Sequence, residues 1–159
     1  MPDGIWAGEY FVNGVPEGGD QQLAALFAYW LTLGKASKLP RRRDFDPTEV
    51  PNLLTNIALL DVIQVPFRFK YRLMGDRVIQ LREGNHTGQW LHDIYPNFDQ
   101  STTYRRIISV VETRQPIWCI GHPTHHSRNE FRLREVIHLP FAEDGETVDL
   151  LLSAVLVHR

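Results

Sequence analysis

The clearest alternation of apolar and charged positions lies in residues 67–74, which read FRFKYRLM. The apolar residues fall on one side of an extended chain and the basic residues on the other, which predicts a half-buried strand. Residues 57–65 are apolar at nearly every position, and only Pro66 separates them from the first run. We therefore expect these two strands to form an antiparallel hairpin, followed by short helical pieces that glycines interrupt.

Two longer segments show helical periodicity. Asp20 is a suitable N-cap for an amphipathic helix, and Gly34 follows where that helix should end. A second helix should begin near Asp99 or Ser101 and end before Pro116. We expect the arginines of this second helix, including Arg106, to face outward.

Three further strands are predicted towards the C-terminus, in residues 117–122, 131–139 and 148–157. Asp144 and Gly145 form a strong hairpin signal between the last two of them. The final strand is apolar on almost every position, as in a strand covered on both faces in the middle of a sheet. We therefore predict an α+β domain with a five-stranded antiparallel sheet and helices on one face, its last strand between the first and the fourth. The N-terminal helix is then free to cover the opposite face.

The chain length of 159 residues indicates one domain with a self-sufficient core. Residues 1–19 are rich in glycine and predict a flexible N-terminal arm. Residues 20–55 hold the first helix and a linker, and residues 56–159 form the core of the domain. Nearby aspartates balance the positive charge of the basic residues at 41–43, so we interpret this segment as a solvated linker.

The composition narrows the function classes. A net charge of −2 and a pI near 6.4 give no general attraction to nucleic acid or to an anionic membrane. The single cysteine, Cys119, cannot form an intramolecular disulfide, and the N-terminus lacks the pattern of a signal peptide. The longest apolar run is too short to span a bilayer, so we expect a cytoplasmic protein without a membrane segment.

The order of these elements resembles a PAS domain, and in particular the short stand-alone bacterial PAS proteins. The match rests on an ordered set of short motifs rather than on any single one. These motifs are Tyr29-Trp30, Pro40-Arg41, Asp46-Pro47, Pro51, Leu53-Leu54, Leu60-Asp61, Tyr71-Arg72-Leu73, Gly75, Gly84 and Thr87-Gly88. One departure is Asp76, where a small hydroxyl residue would be expected after Gly75.

The resemblance implies a sensory or protein-interaction domain that binds a small ligand or a partner protein, signals through dimerisation and has no catalytic activity. The pocket of a PAS domain lies between the sheet and the intervening helices. The candidate pocket residues are Tyr71, Leu73, Trp90, His92, Tyr95, Trp118, Ile120 and Phe131. Dimerisation often uses the N-terminal helix, so the candidate interface of a homodimer is Leu23, Leu26, Phe27, Trp30 and Leu31. An interaction module without a ligand, its cavity filled by side chains, is the second hypothesis.

Histidines and the cysteine raise the question of a metal or a cofactor. We interpret His122, His125 and His126 as loop residues rather than metal ligands, because structural zinc sites use four ligands and usually thiolates. Haem bound through His86 or His92 is an alternative that we do not favour. Flavin photochemistry needs a cysteine in the helical region, whereas Cys119 lies on a predicted strand, where a small core residue is the favoured interpretation.

An enzyme is the rival class of function. A small curved α+β sheet of the ketosteroid-isomerase type would use an aspartate and a tyrosine in one apolar pocket. Asp61 and Tyr71 are the available pair, but no nucleophile elbow or phosphate-binding loop accompanies them. We therefore expect no catalysis, and we expect output through self-association or a separate partner protein.

Overall fold

The chain forms an antiparallel sheet with helices on both faces. A computed structural model describes residues 10–121 and 133–158. The strands are β1 (Tyr10–Val12), β2 (Ile57–Gln64), β3 (Phe67–Met74), β4 (Ile117–Gly121), β5 (Arg134–Phe141) and β6 (Leu150–Val157). The helices are α1 (Gln21–Leu33), α2 (Asp76–Leu81), α3 (Leu91–Ile94) and α4 (Thr102–Thr113). Short 3-10 helices cover Arg42–Asp44, Pro47–Glu49, Pro51–Asn56 and Phe98–Gln100.

The order of the strands in the sheet is β1-β4-β5-β6-β2-β3. The predicted α+β sheet of five antiparallel strands is confirmed, and β6 lies between β2 and β5 as expected. Strand β1 is an addition that sequence analysis did not predict. It pairs with the edge strand β4 over three residues, from Tyr10 opposite Cys119 to Val12 opposite Ile117. Three residues are too few to show the alternation of a strand. Pairing with β4, rather than the local sequence, determines this strand.

Helix α1 covers one face of the sheet, which we call the packed face. The Asp20 carboxylate accepts hydrogen bonds from the backbone N–H groups of Gln22 and Leu23, at 2.7 and 3.4 Å, and so caps the helix. The packed-face core joins α1 to the inward side chains of the sheet and to the 3-10 segment before β2. Its members include Leu23, Leu26, Trp30, Leu53, Leu59, Trp118, Ile120, Ile137, Leu139, Leu152 and Ala154.

Helices α2, α3 and α4 cover the opposite face, which we call the cavity face. Its core includes Leu60, Phe69, Tyr71, Val78, Leu91, Phe98, Ile107, Val110 and Leu151. The chain enters this layer at Gly75, directly after β3. A Cβ atom on Gly75 would lie 2.5 Å from the carbonyl oxygen of Thr55, so only glycine fits this close approach. Gly75 also occupies the N-cap of α2, where no side chain caps the helix.

Helix α4 begins after Ser101, whose hydroxyl accepts a hydrogen bond from the Tyr104 backbone N–H at 3.1 Å. The prediction that all arginines of this helix face outward is wrong for Arg106, which is half-buried and lies beneath the helix against the sheet. The neighbouring Arg105 is exposed as expected. Within the described ranges, no helix is long and apolar enough to cross a membrane.

Candidate functional site

A cavity of about 70 Å³ lies between the cavity face of the sheet and helices α2 to α4. It is partly enclosed, and its walls come from the five strands β2 to β6 and from the helical layer. Apolar side chains dominate the lining, and a few polar groups converge among them. The lining residues are Ala58, Leu60, Tyr71, Val78, Arg82, Leu91, Tyr95, Phe98, Thr103, Arg106, Ile107, Cys119, Val136, His138, Ser153 and Val155.

Two hydrogen-bonded pairs place polar atoms in this apolar space. His138 on β5 and Ser153 on β6 are direct partners in the strand register, and His138 Nδ1 lies 2.7 Å from Ser153 Oγ. The hydroxyl groups of Tyr71 and Tyr95 lie 2.8 Å apart. The first pair joins the two central strands, and the second joins the edge strand β3 to the residue after α3. The cavity therefore has polar groups on both the sheet side and the helical side.

Two arginines supply charge at the same cavity. Arg82 directly follows α2, with its guanidinium carbon 5.9 Å from the centroid of the Tyr95 ring, and Arg106 comes from α4. Both are half-buried, and no carboxylate is among the residues that line the cavity. Among residues 10–121 and 133–158, neither guanidinium forms an ion pair with a carboxylate. The cavity thus carries positive charge that these residues do not neutralise.

The titratable groups of the cavity respond to burial and to this charge. Burial and, to a smaller extent, the positive charges of Arg106 and Arg82 lower the pKa of His138 to about 3, so the imidazole is neutral at physiological pH. Burial raises the pKa of the Cys119 thiol, and it also raises the pKa of Tyr95. A histidine with so low a pKa is a weak general base, and a protonated thiol is a weak nucleophile. The groups of the cavity are better suited to hydrogen bonding than to proton transfer.

The structure places only some of the predicted pocket residues at the cavity. Tyr71 and Tyr95 line the cavity, whereas Trp118 and Ile120 lie in the packed-face core on the other side of the sheet. Residues alternate between the faces along β4, so Cys119 between them is the one that reaches the cavity. We assigned Cys119 to the core, and it is buried as expected.

Three other predicted pocket residues lie outside the cavity lining, and Phe131 lies outside the described residues. Leu73 is 45% exposed. The guanidinium carbon of Arg68 lies 4.1 Å from the centroid of the Trp90 ring, at the edge of the sheet beside β3. His92 packs edge-on against the rings of Phe98 and Tyr104.

Sequence analysis missed Arg82, Arg106, His138 and Ser153 as site residues. The strands carry a signal for the last two, because Ser153 is the one polar residue of β6 and His138 is flanked by apolar residues in β5. Arg106 carries no such signal, since it directly follows the exposed Arg105 in α4. Arg82 lies beyond the end of a short helix, where periodicity no longer predicts the direction of a side chain.

The packed face contains a buried acid. Glu135 on β5 is fully buried, and its Oε2 accepts hydrogen bonds from the backbone N–H of Asp20 at 2.9 Å and from Trp118 Nε1 at 3.1 Å. Its Oε1 lies 2.7 Å from His158 Nε2. The carboxylate therefore connects the start of α1, the middle of the sheet and the segment after β6. Each carboxylate oxygen therefore has a polar partner.

The histidines considered as metal or haem ligands lie away from the cavity lining or outside the described residues. No group of three or more histidine, cysteine or acidic side chains is arranged to hold a metal ion in the ranges 10–121 and 133–158. His122, His125 and His126 lie outside those ranges. Neither His86 nor His92 lines the cavity, and about 70 Å³ does not accommodate a haem or a flavin.

The pair proposed for the enzyme alternative is also separated. The Asp61 carboxylate forms an ion pair with Arg72 at 3.5 Å, and it does not line the cavity that contains Tyr71. The two residues lie on opposite faces of the sheet, because Leu60 and Val62 on either side of Asp61 belong to the cavity-face core. No shared pocket brings this carboxylate to the tyrosine.

Two larger depressions lie elsewhere on the surface. One, of about 400 Å³, is bordered by α2, the end of β6 and the segment before β2. The other, of about 440 Å³, lies beside the end of α1 and residues 113–115. Both are more open to solvent than the smaller cavity.

Comparison with known proteins identifies the family. A family model described as a PAS domain matches residues 20–156. No curated protein matches the chain. Among solved structures, the chain is similar to one titled "Structure of an RNA-binding Light-Oxygen-Voltage Receptor", with 11% sequence identity and a TM-score of 0.46. That match covers 95% of this chain but only 39% of the receptor's chain. Because the family model spans most of its length, the chain belongs to the PAS domain family.

Proposed function

We propose that this PAS domain is a sensor that binds a small ligand in the cavity between the sheet and helices α2 to α4. The family is one of sensory and interaction domains, which gives the general function. The observation that supports ligand binding is the convergence of polar groups on one partly enclosed space, from β3, β5, β6 and the helical layer. Occupation of that space would fix the position of the helices that cover it.

Binding without catalysis agrees best with the chemistry of the cavity. His138 and Ser153 are hydrogen-bonded, but the pKa of His138, lowered to about 3 by burial and by two arginines, makes its imidazole a weak base. The Asp61 carboxylate lies on the other face of the sheet. The polar groups of the cavity would therefore orient a ligand through hydrogen bonds.

A variant that fills the cavity tests the proposal. Val136→Phe places a ring into the lining, whereas Ile63→Phe adds the same ring at an exposed position on β2. Small molecules released on denaturation from the wild type and from both variants are identified by mass spectrometry. We expect a compound that the wild type and Ile63→Phe retain and that Val136→Phe loses. If all three proteins release the same compounds in the same amounts, ligand binding in the cavity is refuted.

We also propose that the protein dimerises through the outer face of α1. Leu23, Leu26 and Trp30 of the predicted interface are buried against the protein's own sheet, so the proposed interface moves to the opposite side of the helix. Helix α1 has no charged residue, and Leu31 on its outer side is 53% exposed. Ala25, Ala28 and Leu31 thus form an exposed apolar stripe along the helix, and such stripes are often covered by a partner. A second copy of the chain would provide that cover.

Paired substitutions on the outer face test the dimer. Ala28 and Leu31 are exposed neighbours on α1, and both are changed to glutamate. We expect light scattering to give half the mass of the wild type, because charge cannot be buried between the two helices. Ile63→Glu, which introduces a charge at an exposed apolar position on β2, should leave the mass unchanged. An unchanged mass of the double variant would contradict the proposal.

A further inference from the structure

The cavity has a marked asymmetry of charge. Two half-buried guanidinium groups line it, and the residues that share the lining are apolar or neutral apart from them. An arginine keeps its proton at any physiological pH, so these charges are permanent. A positive charge that is partly removed from water is unfavourable until an anion or a set of acceptors compensates it.

The positive potential extends across the cavity to the sheet. His138 lies on β5, whereas Arg82 and Arg106 come from the helical layer. The charges of both arginines nevertheless contribute to the low pKa of the imidazole, after the larger effect of burial. A cation in this space would be repelled from several directions.

We propose that the ligand of this cavity is a small organic anion whose carboxylate or phosphate group pairs with Arg82 or Arg106. Its uncharged part would lie against the apolar lining, within reach of the His138–Ser153 pair. This inference rests on the proposed function, since it names the chemical class of the ligand that the cavity binds. Guanidinium groups recognise both carboxylates and phosphates through charge-assisted hydrogen bonds, so both belong to the class.

The size of the cavity limits the anion to a short one. A cavity volume of about 70 Å³ corresponds to about five water-sized groups. A monocarboxylate of two to four carbons is therefore a suitable probe, and so is inorganic phosphate. Butyrate and butyramide have nearly the same shape and differ in charge. This pair of compounds separates recognition of charge from simple filling of the cavity.

The experiment is isothermal titration calorimetry in a chloride-free buffer at constant ionic strength, with butyrate, butyramide and phosphate as probes. We expect wild-type protein to bind an anionic probe at least about tenfold more tightly than butyramide. Arg82→Gln and Arg106→Gln should each weaken the binding of that anion by about ten- to a hundredfold and leave butyramide binding unchanged. Arg106→Lys, which keeps the charge, should restore part of the affinity.

Arg105→Gln is the matched control, because Arg105 is the exposed neighbour of Arg106 on the same helix. It removes the same net charge without changing the cavity, so it should leave all affinities as in the wild type. Tighter binding of phosphate than of butyrate, or the reverse, shows whether the site prefers a phosphate or a carboxylate group. Thermal unfolding of each variant without ligand confirms that it is folded.

Two outcomes overturn the inference. If butyramide binds as tightly as butyrate and phosphate, or if Arg105→Gln weakens the anions as much as Arg106→Gln does, the cavity does not select an anion. If neither anion binds to the wild type, the inference also fails. The proposed function is judged separately by the Val136→Phe variant, because a neutral ligand that this variant loses would refute the anion and retain the sensor.

Discussion

The two faces of the sheet use buried polar groups in opposite ways. On the packed face, the Glu135 carboxylate accepts hydrogen bonds from the Asp20 backbone N–H and from Trp118 Nε1, and it lies 2.7 Å from His158 Nε2. On the cavity face, two arginines have no carboxylate partner among the described residues, and a neutral histidine lies across from them. A satisfied buried charge fixes structure, whereas an uncompensated charge at a cavity favours the binding of a further group. We infer that the packed face stabilises the fold, and the cavity face is the proposed site of ligand binding.

Adjacent residues of a single strand show this contrast directly. Trp118 and Cys119 follow each other on β4 and point to opposite faces, as do Glu135 and Val136 on β5. A substitution at one of two such neighbours changes the side chains packed on one face and leaves those of the other face in place. The predictions below use these neighbours to separate stability from binding.

The largest effect is expected at Trp118. The Trp118→Ala variant removes a fully buried ring from the packed face, and it should lower the free energy of unfolding by about 3–5 kcal/mol. The Cys119→Ala variant removes one atom beside the cavity and should cost about 1 kcal/mol or less. Urea denaturation at pH 7 measures both. Equal losses would show that the two faces are packed alike, contrary to our account.

A smaller loss should follow removal of the buried acid. In Glu135→Leu, the Asp20 backbone N–H and Trp118 Nε1 lose their acceptor, which should destabilise the protein by about 3 kcal/mol. Glu135→Gln keeps one acceptor oxygen and should cost about half as much. Glu146→Leu, at an exposed position of the β5–β6 turn, serves as the control. If Glu135→Leu unfolds at the same urea concentration as this control, the carboxylate does not stabilise the packed face.

The buried His138 of the cavity face should make the free energy of unfolding depend on pH. In the unfolded chain His138 binds a proton near its ordinary pKa of 6.5, but in the folded protein its pKa is lowered to about 3. The stability that this neutral histidine contributes is therefore present above pH 6.5 and is lost as the pH falls towards 3. Between pH 6.5 and pH 5, the wild type should lose about 2 kcal/mol more than His138→Gln.

Urea denaturation at the two pH values measures this difference, and contributions from other groups cancel because both proteins contain them. His86→Gln, which changes a histidine away from the cavity, should follow the wild-type curve. Parallel curves for the wild type and His138→Gln would mean that His138 is not held neutral by the cavity face.

The smallest effect separates a cavity from a filled core. Ala154 lies in the packed-face core and Ala58 lines the cavity, and both are changed to valine. Overpacking in Ala154→Val should cost about 1–2 kcal/mol. The added methyl groups of Ala58→Val have space available and should change stability by less than about 0.5 kcal/mol. The opposite order, measured by thermal unfolding of the two variants, would place the free space on the wrong face.

The sequence was a good guide to the sheet and a poor guide to the site. Alternation in residues 67–74, the N-cap at Asp20 and the apolar final strand predicted the main strands and α1, because each signal is local to its element. Which residues of β4 point to which face depends on the pairing of β4 with β5, and the sequence of β4 alone does not show it. The prediction that Trp118 lines the pocket is therefore wrong, because Trp118 lies on the packed face. The inward direction of Arg106 results from how α4 crosses the sheet, which the sequence of the helix does not encode alone.

The most direct test of the account is a titration of methyl-labelled protein with butyrate, followed by NMR. We predict saturable shifts for methyl groups that line the cavity and no shifts for those of the packed face. The responding residues should be Leu60, Val78, Leu91, Val136 and Val155, and the silent ones Leu23, Leu26, Ile137, Leu139 and Leu152. Saturable shifts that cluster on the packed face, or shifts that increase without saturation on both faces, would contradict the assignment of binding to the cavity face.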